Sequence, residues 1–308
     1  MNKISIGADI GGSHITCRLF DLDKNEFTGD RKVRIPVNSQ SSKEEILQGW
    51  TTAILETANG YNLNELHGIG FAMPGPFDYP GGIAWFRGVQ KFDALYGVNV
   101  RQELLSRLNL PENFPVRFQN DAVCFAIGES LQGRAAEYER LLAITLGTGF
   151  GTTFIHNHLP VAGADGVPDD GFLYHVPFGN SIADDHFSTR WFQSEYQKLT
   201  GQQLPGVKEL AEMAMSGGLA VGIFKTFGRN LGSFLAPWLK TFNAGCLVMG
   251  GNISAAFPWF RNELLQAFQN AGLRVEALIS TLQEDAALMG SASLCNDVFY
   301  ARLVNNMT

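Results

Sequence analysis

The chain has 308 residues, of which 45% are hydrophobic and 17% charged, so it carries enough apolar material for a buried core and is not a disordered chain. Its formal net charge is −7 and it contains no long basic run, which argues against a nucleic-acid partner because phosphate backbones are bound by basic stripes. No stretch approaches the roughly 20 apolar residues that span a bilayer, and no signal-peptide core precedes the first strand, so we expect a cytoplasmic protein without a membrane partner.

The cysteines do not indicate a metal centre. Cys17, Cys124, Cys246 and Cys295 lie far apart in apolar stretches and form no CxxC pair. Widely spaced cysteines of this kind are typically buried, reduced thiols. We therefore expect no metal ligation by cysteine.

The first half of the chain predicts an antiparallel meander followed by alternating helices and strands. The meander begins with ISIGADI, and the GGSH turn leads into its second strand. A helix that begins with serines and acidic residues and ends at Gly60 follows the capping rules. In chain order we predict strands at 4–10, 16–23 and 27–37, a helix at 41–60, a strand at 66–75, a helix at 100–110, a strand at 114–121 and a helix at 122–133.

The second half begins in the same way as the first. A strand, a glycine-rich turn and another strand occupy 140–158, about 135 residues after the similar unit at 4–22. This repetition predicts two duplicated lobes with a cleft between them. The other segments are predicted to be irregular at 159–187, helical at 187–200, 207–216 and 218–243, a strand and glycine turn at 245–254, a helix at 257–272, a strand at 275–280 and a closing helix at 284–303.

The first glycine turn, ADIGGSH at 8–14, follows an apolar strand. Gly11 and Gly12 can bring backbone amides close to phosphate oxygens, and Ser13 can donate a hydrogen bond to them. Asp9 can hold Mg²⁺ through water. An ordinary hairpin with a Gly-Gly turn explains the same residues, and taken alone the pattern fits the hairpin better.

Two further glycine turns, LGTGFGT at 146–152 and MGGNIS at 249–254, also follow apolar strands. The alternatives are a second hairpin and a helix cap entered by Gly-Gly-Asn. Three such turns in this order are harder to explain as turns alone, so they predict a nucleotide site. Its candidate phosphate and adenosine ligands here are Gly147, Thr148, Gly149, Gly250, Gly251 and Asn252.

These motifs resemble a known superfamily. DIGGSHITCRLFD and ITLGTGFGT look like the two phosphate loops of the actin and sugar-kinase superfamily, and VMGGNIS looks like its adenosine segment. GIGFAMPGPFD, at 68–78, and FQNDAVCFAIGE, at 118–129, are similar to the ROK family of bacterial sugar kinases and repressors. The resemblance runs along nearly the whole chain.

The resemblance implies an α/β protein of two-lobed, ribonuclease H-like (actin-like ATPase) fold. Each lobe would hold a mixed sheet flanked by helices. The N-terminal lobe would comprise 1–121 and the C-terminal helix at about 284–308, and the C-terminal lobe would comprise 122–283. Relatives of this family are commonly homodimers, which we carry over as an expectation.

Asp121 matches the catalytic base of the family, and Asn120 would hydrogen-bond a sugar hydroxyl. Asp121 lies between a predicted strand and a predicted helix, where the helix N-terminus is expected to keep the pKa of its carboxylate low and the group ionised. The alternative is that Asp121 merely caps the helix at 122–133, which is the commoner role of such a residue.

The chain departs from the family at the sugar-binding segment. The family's GEIGH corresponds to GFLYH at 171–175, so Phe172 replaces a glutamate, Tyr174 replaces a glycine and His175 remains. Loss of that glutamate removes charge-assisted hydrogen bonds worth roughly 1.5–3 kcal/mol each. The family's zinc cysteines are absent, so no structural zinc is expected. His175 is then either a sugar contact or a packed histidine.

Two other positions carry alternatives. Asp184, Asp185 and His186 either imitate a metal site or form a solvated turn or cap, and Asp185 or Asp184 would replace the family's acidic sugar ligand. His14 stands where related kinases often have lysine. A neutral imidazole there would help a phosphate less than an ammonium would, or else His14 simply faces solvent.

The resemblance thus predicts an enzyme that phosphorylates a hexose or amino-hexose with ATP and Mg²⁺, with Asp121 as general base. A sugar-responsive repressor would need an N-terminal winged helix-turn-helix, whereas the first phosphate loop begins at residue 8 here. The other alternative is a catalytically silent, sugar-binding or regulatory relative, suggested by Phe172 and the missing cysteines.

Overall fold

The computed structural model of the chain describes residues 3–88 and 91–307. The chain divides into two compact units: the first unit is Met1–Gly128 with Glu284–Asn306, and the second unit is Glu129–Gln283. Residues 1 and 308, the ends of the predicted N-terminal lobe, lie outside the described ranges. None of the helices in those ranges combines the length and apolarity that a membrane crossing requires.

The secondary structure follows the predicted order closely. The strands of the described residues are β1 (Ile4–Ile10), β2 (His14–Asp21), β3 (Glu26–Pro36), β4 (Gly68–Met73), β5 (Phe77–Asp78), β6 (Ile83–Ala84), β7 (Val116–Asn120), β8 (Arg140–Leu146), β9 (Phe150–His156), β10 (Leu159–Val161), β11 (Pro177–Phe178), β12 (Ser181–Ile182), β13 (Cys246–Gly250) and β14 (Glu276–Ile279).

The α-helices of the same residues are α1 (Lys43–Thr57), α2 (Val100–Arg107), α3 (Asp121–Gln132), α4 (Ala183–His186), α5 (Thr189–Thr200), α6 (Val207–Ala214), α7 (Leu219–Phe242), α8 (Phe257–Asn270), α9 (Glu284–Ser293) and α10 (Asp297–Met307). Short 3₁₀ helices cover Leu63–Glu65, Asp93–Leu95 and Asn252–Ala256.

The first unit is built on a mixed sheet in the order β3-β2-β1-β4-β7. Strands β1, β2 and β3 pair antiparallel, which confirms the predicted meander. Strands β1, β4 and β7 run parallel, so their carboxyl ends lie along one edge.

Large and small side chains alternate along the central strands of this sheet. On one face, Ile6 of β1 and Phe71 of β4 are fully buried and belong to the same core as Trp50 of α1. The cap of α1 is the predicted kind: Ser42 accepts from the Glu45 amide, and Glu45 accepts from the Ser42 amide in return. Apolar burial therefore holds α1 against this face of the sheet.

On the opposite face, glycines allow α9 to lie directly on the strands. A Cβ on Gly7 would overlap the carbonyl oxygen of Leu288, and a Cβ on Gly70 would overlap that of Ser291. The absence of side chains, rather than their packing, sets the distance between helix and sheet here.

The second unit repeats this strand arrangement in the order β10-β9-β8-β13-β14, with β8, β13 and β14 parallel. Its core lies between the sheet and the helices α5 to α8. Helices α7 and α8 pack closely at Gly228, where a Cβ would overlap the carbonyl of Phe260. The same strand order in both units agrees with the predicted duplication.

Two predicted elements were wrong. Residues 159–187 are not wholly irregular: β10 adds a strand to the second sheet, and β11 and β12 form a small hairpin. The closing helix at 284–303 is two helices, because Asn296 begins a new one by accepting hydrogen bonds from the amides of Val298 and Phe299, both at 3.1 Å.

A buried carboxyl group links α3 to the end of β14 within the second unit. The Glu129 side chain is fully buried, and the Ser280 hydroxyl donates to its Oε1 at 2.5 Å. Burial raises the pKa of Glu129 above its ordinary value, although Ser280 and the backbone amide of Arg134 oppose the increase.

We expect Glu129→Gln to change how stability depends on pH. The pKa of Glu129 in the folded protein lies above 4.5, the ordinary value that applies in the unfolded chain. At pH values between 4.5 and the raised pKa, the folded protein therefore binds more protons than the unfolded chain. The free energy of unfolding then falls as pH rises through that interval. A glutamine keeps the bond to Ser280 but does not titrate. The free energy of unfolding of the variant should therefore fall less than that of the wild type as pH rises through this interval. Urea unfolding at a series of pH values measures this.

The exposed Glu212 on α6 supplies the control, since Glu212→Gln makes the same substitution without touching the contact between Glu129 and Ser280. Parallel profiles for the wild type and Glu129→Gln would contradict a raised pKa at Glu129.

Candidate active site

Two carboxylates lie at one edge of the first sheet. Asp9 is the next-to-last residue of β1, and Asp121 directly follows β7. Because β1, β4 and β7 are parallel neighbours, the two residues occupy strand ends of the kind that bind ligands in α/β sheets. The structure therefore brings together the predicted general base and the predicted Mg²⁺ ligand.

The surroundings of Asp9 favour a bound cation. Although the side chain keeps some exposure, burial is the largest of the causes that together raise the pKa of Asp9 to about 7; the charges of Asp121 and Glu284 also raise it, and Arg34 opposes them. A divalent cation would relieve this repulsion, and carboxylate oxygen is the ligand that Mg²⁺ prefers. The residues at this edge thus fit Mg²⁺ held through Asp9.

The prediction of a low pKa for Asp121 was wrong. The Ala122 amide donates to Asp121 Oδ1 at 2.9 Å and lowers the pKa as expected, and so does the charge of Lys91. Desolvation outweighs both and raises the pKa of Asp121. The side chain is exposed at its surface, but the protein around the carboxylate displaces enough water to disfavour its charged form. A carboxylate with a raised pKa is a stronger base than an ordinary one.

Asn120 supplies a larger part of the helix cap than Asp121. Its Oδ1 accepts from the amides of Ala122 at 3.0 Å and Val123 at 3.4 Å, and its Nδ2 donates to Tyr79 Oη at 3.2 Å. Asn120 was predicted only as a sugar ligand, and Tyr79 was not predicted at all. Since Asn120 caps α3, Asp121 is not required for capping alone.

The first glycine turn closes a hairpin, with the Gly11 amide donating to the carbonyl of His14 at 2.9 Å. Ser13 lies exposed in this turn, and its Oγ is 3.1 Å from His14 Nδ1. The hairpin alternative therefore describes the backbone correctly. The turn nevertheless lies directly after Asp9, so Gly12 and Ser13 lie at the sheet edge that carries the carboxylates.

His14 does not simply face solvent. Its imidazole lies against Gly11, where an added Cβ would be 3.1 Å from its Cε1. Burial and the neighbouring Arg34 lower the pKa of His14, although Glu284 opposes them. Position 14 thus carries a neutral ring at neutral pH.

The second glycine turn is held by the start of α5. The Gly147 carbonyl accepts from the Thr189 amide at 2.8 Å and from its hydroxyl at 3.0 Å. The Thr148 carbonyl accepts from Arg190 at 3.0 Å. A Cβ on Gly147 would meet no heavy atom within 4 Å among the described residues, so one side of the turn is open.

Asp184 supports the same turn from α4. Its Oδ1 accepts from the amide of Phe150 at 2.7 Å, and its Oδ2 accepts from Arg190 at 2.5 Å. Thr189 and Arg190 were not predicted, and Asp184 was predicted as a sugar or metal ligand or as part of a solvated turn or cap. Their role depends on contacts across 34 to 42 residues of sequence, which no local motif records.

The third glycine turn lies beside the second at the carboxyl edge of the second sheet. Gly250 ends β13 opposite Thr145, and Gly251 has φ +80°, where a Cβ would also overlap the carbonyl of Leu146. Asn252 begins a 3₁₀ helix but does not cap it, since its cap position is Gly251 without a side-chain bond. The turn thus enters a helix, as the cap alternative has it, with Gly251 rather than Asn252 at the cap position.

The predicted sugar ligands of the second unit lie on neighbouring segments. The Asp184 amide donates to the carbonyl of Tyr174 at 2.9 Å, which brings the chain at His175 beside that at Asp185. His175 is exposed, with Nδ1 3.5 Å from Asp170, so it is not a packed histidine. Asp185 is also exposed and accepts a hydrogen bond from Ser181.

Asp184 and Asp185 share Arg190 as a partner, at 2.5 and 3.9 Å, whereas His186 packs against an aromatic ring. Asp184 contacts Phe150 and Arg190, while the His186 ring packs edge-on against Phe178 at 5.2 Å. In the part of the chain that the structure describes, no three His, Cys, Asp or Glu side chains lie close enough to hold a metal ion.

A family model and several individual relatives match this chain over most of its length. The ROK family model matches residues 5–298. A glucokinase from Thermotoga maritima is 25% identical across 95% of this chain and 97% of its own length. An N-acetyl-D-glucosamine kinase from Haemophilus influenzae is 24% identical over 80% of this chain and 84% of its own length. A xylose repressor from Bacillus subtilis is also 24% identical, over 96% and 77%.

A solved structure extends the comparison to the fold. The ROK family glucokinase from Streptomyces griseus, in complex with glucose and AMPPNP, has a TM-score of 0.73 at 20% identity and covers 94% of this chain and 98% of its own. This likeness confirms the predicted fold class, in which mixed sheets are flanked by helices.

Proposed function

Because the chain belongs to the ROK family, we propose that it is a sugar kinase that transfers the γ-phosphoryl group of ATP to a hydroxyl of a hexose or amino-hexose. The observation that carries the proposal is the placement of Asp121 at the same sheet edge as Asp9 and the first glycine turn. Relatives named as glucokinase and N-acetyl-D-glucosamine kinase support the enzyme class.

Asp121 is the general base in this mechanism. Its carboxylate takes the proton of the attacking hydroxyl while the sugar oxygen bonds to the γ-phosphorus and the bond from that phosphorus to the β-phosphate oxygen breaks. ADP leaves with the electron pair of that bond. The raised pKa of Asp121 brings the base closer to neutral pH, where proton transfer is most effective.

Each unit carries residues suited to ATP. In the first unit, the amide of Gly12 and the hydroxyl of Ser13 bind phosphate oxygens, whereas the amide of Gly11, predicted as a further ligand, is taken up by the hairpin bond to His14. Asp9 would hold Mg²⁺ through water. Mg²⁺ would supply positive charge against the triphosphate. In the second unit, the phosphate ligands and the adenosine ligands are Gly147, Thr148, Gly149, Gly250, Gly251 and Asn252. The AMPPNP bound by the Streptomyces griseus relative supports ATP as the donor.

The sugar ligands we propose are Asn120 and Asp121 in the first unit and His175 and Asp185 in the second. His175 and Asp185 are exposed, and the chain segments that carry them are joined by a backbone hydrogen bond. Phe172 makes this shell less polar than that of family members with glutamate, so the preferred sugar differs from theirs at the hydroxyl that the glutamate would bind.

Further properties are proposed from the composition of the chain and from the family. We place the lobe boundaries at 1–121 with about 284–308, and at 122–283. We also propose that the protein is a cytoplasmic homodimer that needs no structural zinc and binds no nucleic acid.

A coupled ADP-release assay over a panel of hexoses and N-acetyl-hexosamines tests the proposed activity. We expect at least one sugar to be turned over, with no ADP release when either the sugar or Mg²⁺ is omitted. If ATP binds with Mg²⁺ and no sugar is turned over, the protein is instead the catalytically silent relative that Phe172 suggests.

A further inference from the structure

The ammonium group of Lys91 lies over the first glycine turn, and sequence analysis did not identify it. Its Cε lies 3.0 Å and its Nζ 3.4 Å from the position that a Cβ on Gly12 would take. Its charge also acts on the carboxylate of Asp121. One cation thus lies over the turn that follows Asp9 and also acts electrostatically on the proposed general base.

The core of the first unit fixes the position of Lys91. The next residue, Phe92, is fully buried, and its amide donates to the carbonyl of Ser39 at 2.7 Å. The Phe92 ring lies 5.5 Å from each of the rings of Trp50 and Phe86. Lys91 is therefore attached to a residue with little freedom, so the backbone from which its side chain reaches Gly12 is held in place.

The other basic groups near this turn are engaged or neutral. Arg34 lies 3.7 Å from Glu284 and 3.3 Å from His14 Nδ1, and the pKa of His14 is lowered. Among residues 3–88 and 91–307, no ion pair of 4.0 Å or less includes Lys91. Its ammonium is thus available to an anion at the Gly12 turn.

We propose that Lys91 is a catalytic residue that binds the transferred phosphoryl group of ATP between Gly12 and Asp121, and that it supplies the positive charge that His14 does not. The inference rests on the proposed kinase function. As the bond from the γ-phosphorus to ADP breaks and the bond to the sugar oxygen forms, negative charge on the phosphoryl oxygens is met by the ammonium. Lys91 transfers no proton, since the hydroxyl proton goes to Asp121.

The test compares Lys91→Met, Lys91→Arg and Lys24→Met in the steady-state phosphorylation of the best sugar of the panel. Lys24 follows β2 at the end away from the first glycine turn, and its side chain is 60% exposed, so Lys24→Met changes net charge equally without touching the site. We expect kcat/KM for ATP to fall about 10²–10³-fold in Lys91→Met. Lys91→Arg should retain more activity because it keeps the charge, and Lys24→Met should behave as wild type.

Equal activity of Lys91→Met and Lys24→Met would overturn the proposal while leaving the kinase function intact. So would equal losses in Lys91→Met and Lys91→Arg, which would indicate that only the local packing matters. Thermal unfolding of each variant separates these results from loss of folding.

A second measurement does not depend on turnover. Calorimetric titration with inorganic tripolyphosphate should show roughly tenfold weaker binding in Lys91→Met than in Lys24→Met, because a hydrogen bond to a charged group is lost. Equal affinities would reject Lys91 as a phosphate ligand. If no sugar is phosphorylated but this difference is found, the kinase proposal fails and the phosphate-binding role of Lys91 stands.

Discussion

Asp121→Asn is expected to lower kcat for sugar phosphorylation by about 10²–10⁴-fold, the usual contribution of a general base. The amide oxygen of asparagine can still accept from the Ala122 amide, and Asn120 still caps α3, so the local backbone should be preserved. What is lost is the group that takes the proton. The affinity for ATP should change little, because the proposed phosphate ligands are untouched.

Steady-state kinetics with the best sugar, together with calorimetric titration of AMPPNP, measures the two halves of this expectation. Asp30→Asn is the matched control, since Asp30 is an exposed carboxylate on β3. If kcat were the same in Asp121→Asn and Asp30→Asn, Asp121 would be excluded as the base. A loss of AMPPNP binding equal to the loss of kcat would instead assign Asp121 to nucleotide binding.

Gly70→Val is expected to prevent stable folding or to lower the free energy of unfolding by about 3 kcal/mol or more, the upper range for overpacking a core. A Cβ at this position overlaps the backbone carbonyl of Ser291, which cannot rotate away as the end of a side chain can. Either α9 must move off the sheet or β4 must bend, and both changes expose apolar surface. Soluble yield and the urea midpoint of unfolding measure the effect.

Gly222→Ala in α7 provides the contrasting control. A Cβ at Gly222 would meet no heavy atom within 4 Å among the described residues, and the residue lies inside a helix. Alanine there should stabilise the protein by about 0.5–1 kcal/mol. If Gly70→Val unfolds at the same urea concentration as the wild type, the close contact between α9 and β4 does not exist in solution.

Local patterns in the sequence were sufficient for most of the fold. The apolar residues of β1 and β8, each followed by a glycine turn, predicted both hairpins because strand pattern and turn chemistry act over a few residues. The alternation of Ile6 with Gly7, and of Phe71 with Gly70, also records the two faces of the first sheet, although it did not predict which helix lies on the glycine face.

The site could be predicted only where its residues lie in motifs. Asp9, Asp121 and the three turns lie in recognisable sequence motifs. Lys91 and Arg190 contact the glycine turns in space but lie far from them in sequence. The pKa of Asp121 shows the same limit in energetic terms. Its helix N-terminus is a local feature, but desolvation depends on how much protein surrounds the carboxylate after folding.

The position of α9 on the glycine face has a consequence for synthesis on the ribosome. The strands of the first sheet come early in the chain, yet the helix that covers Gly7 and Gly70 begins only at Glu284, after the whole second unit. At about 5–20 residues per second, that interval lasts on the order of ten seconds. During translation the second unit is complete first, and the nascent first sheet leaves its glycine-lined backbone uncovered until the last helices emerge. Chaperones that recognise unfinished sheets would therefore meet this protein at its N-terminal strands.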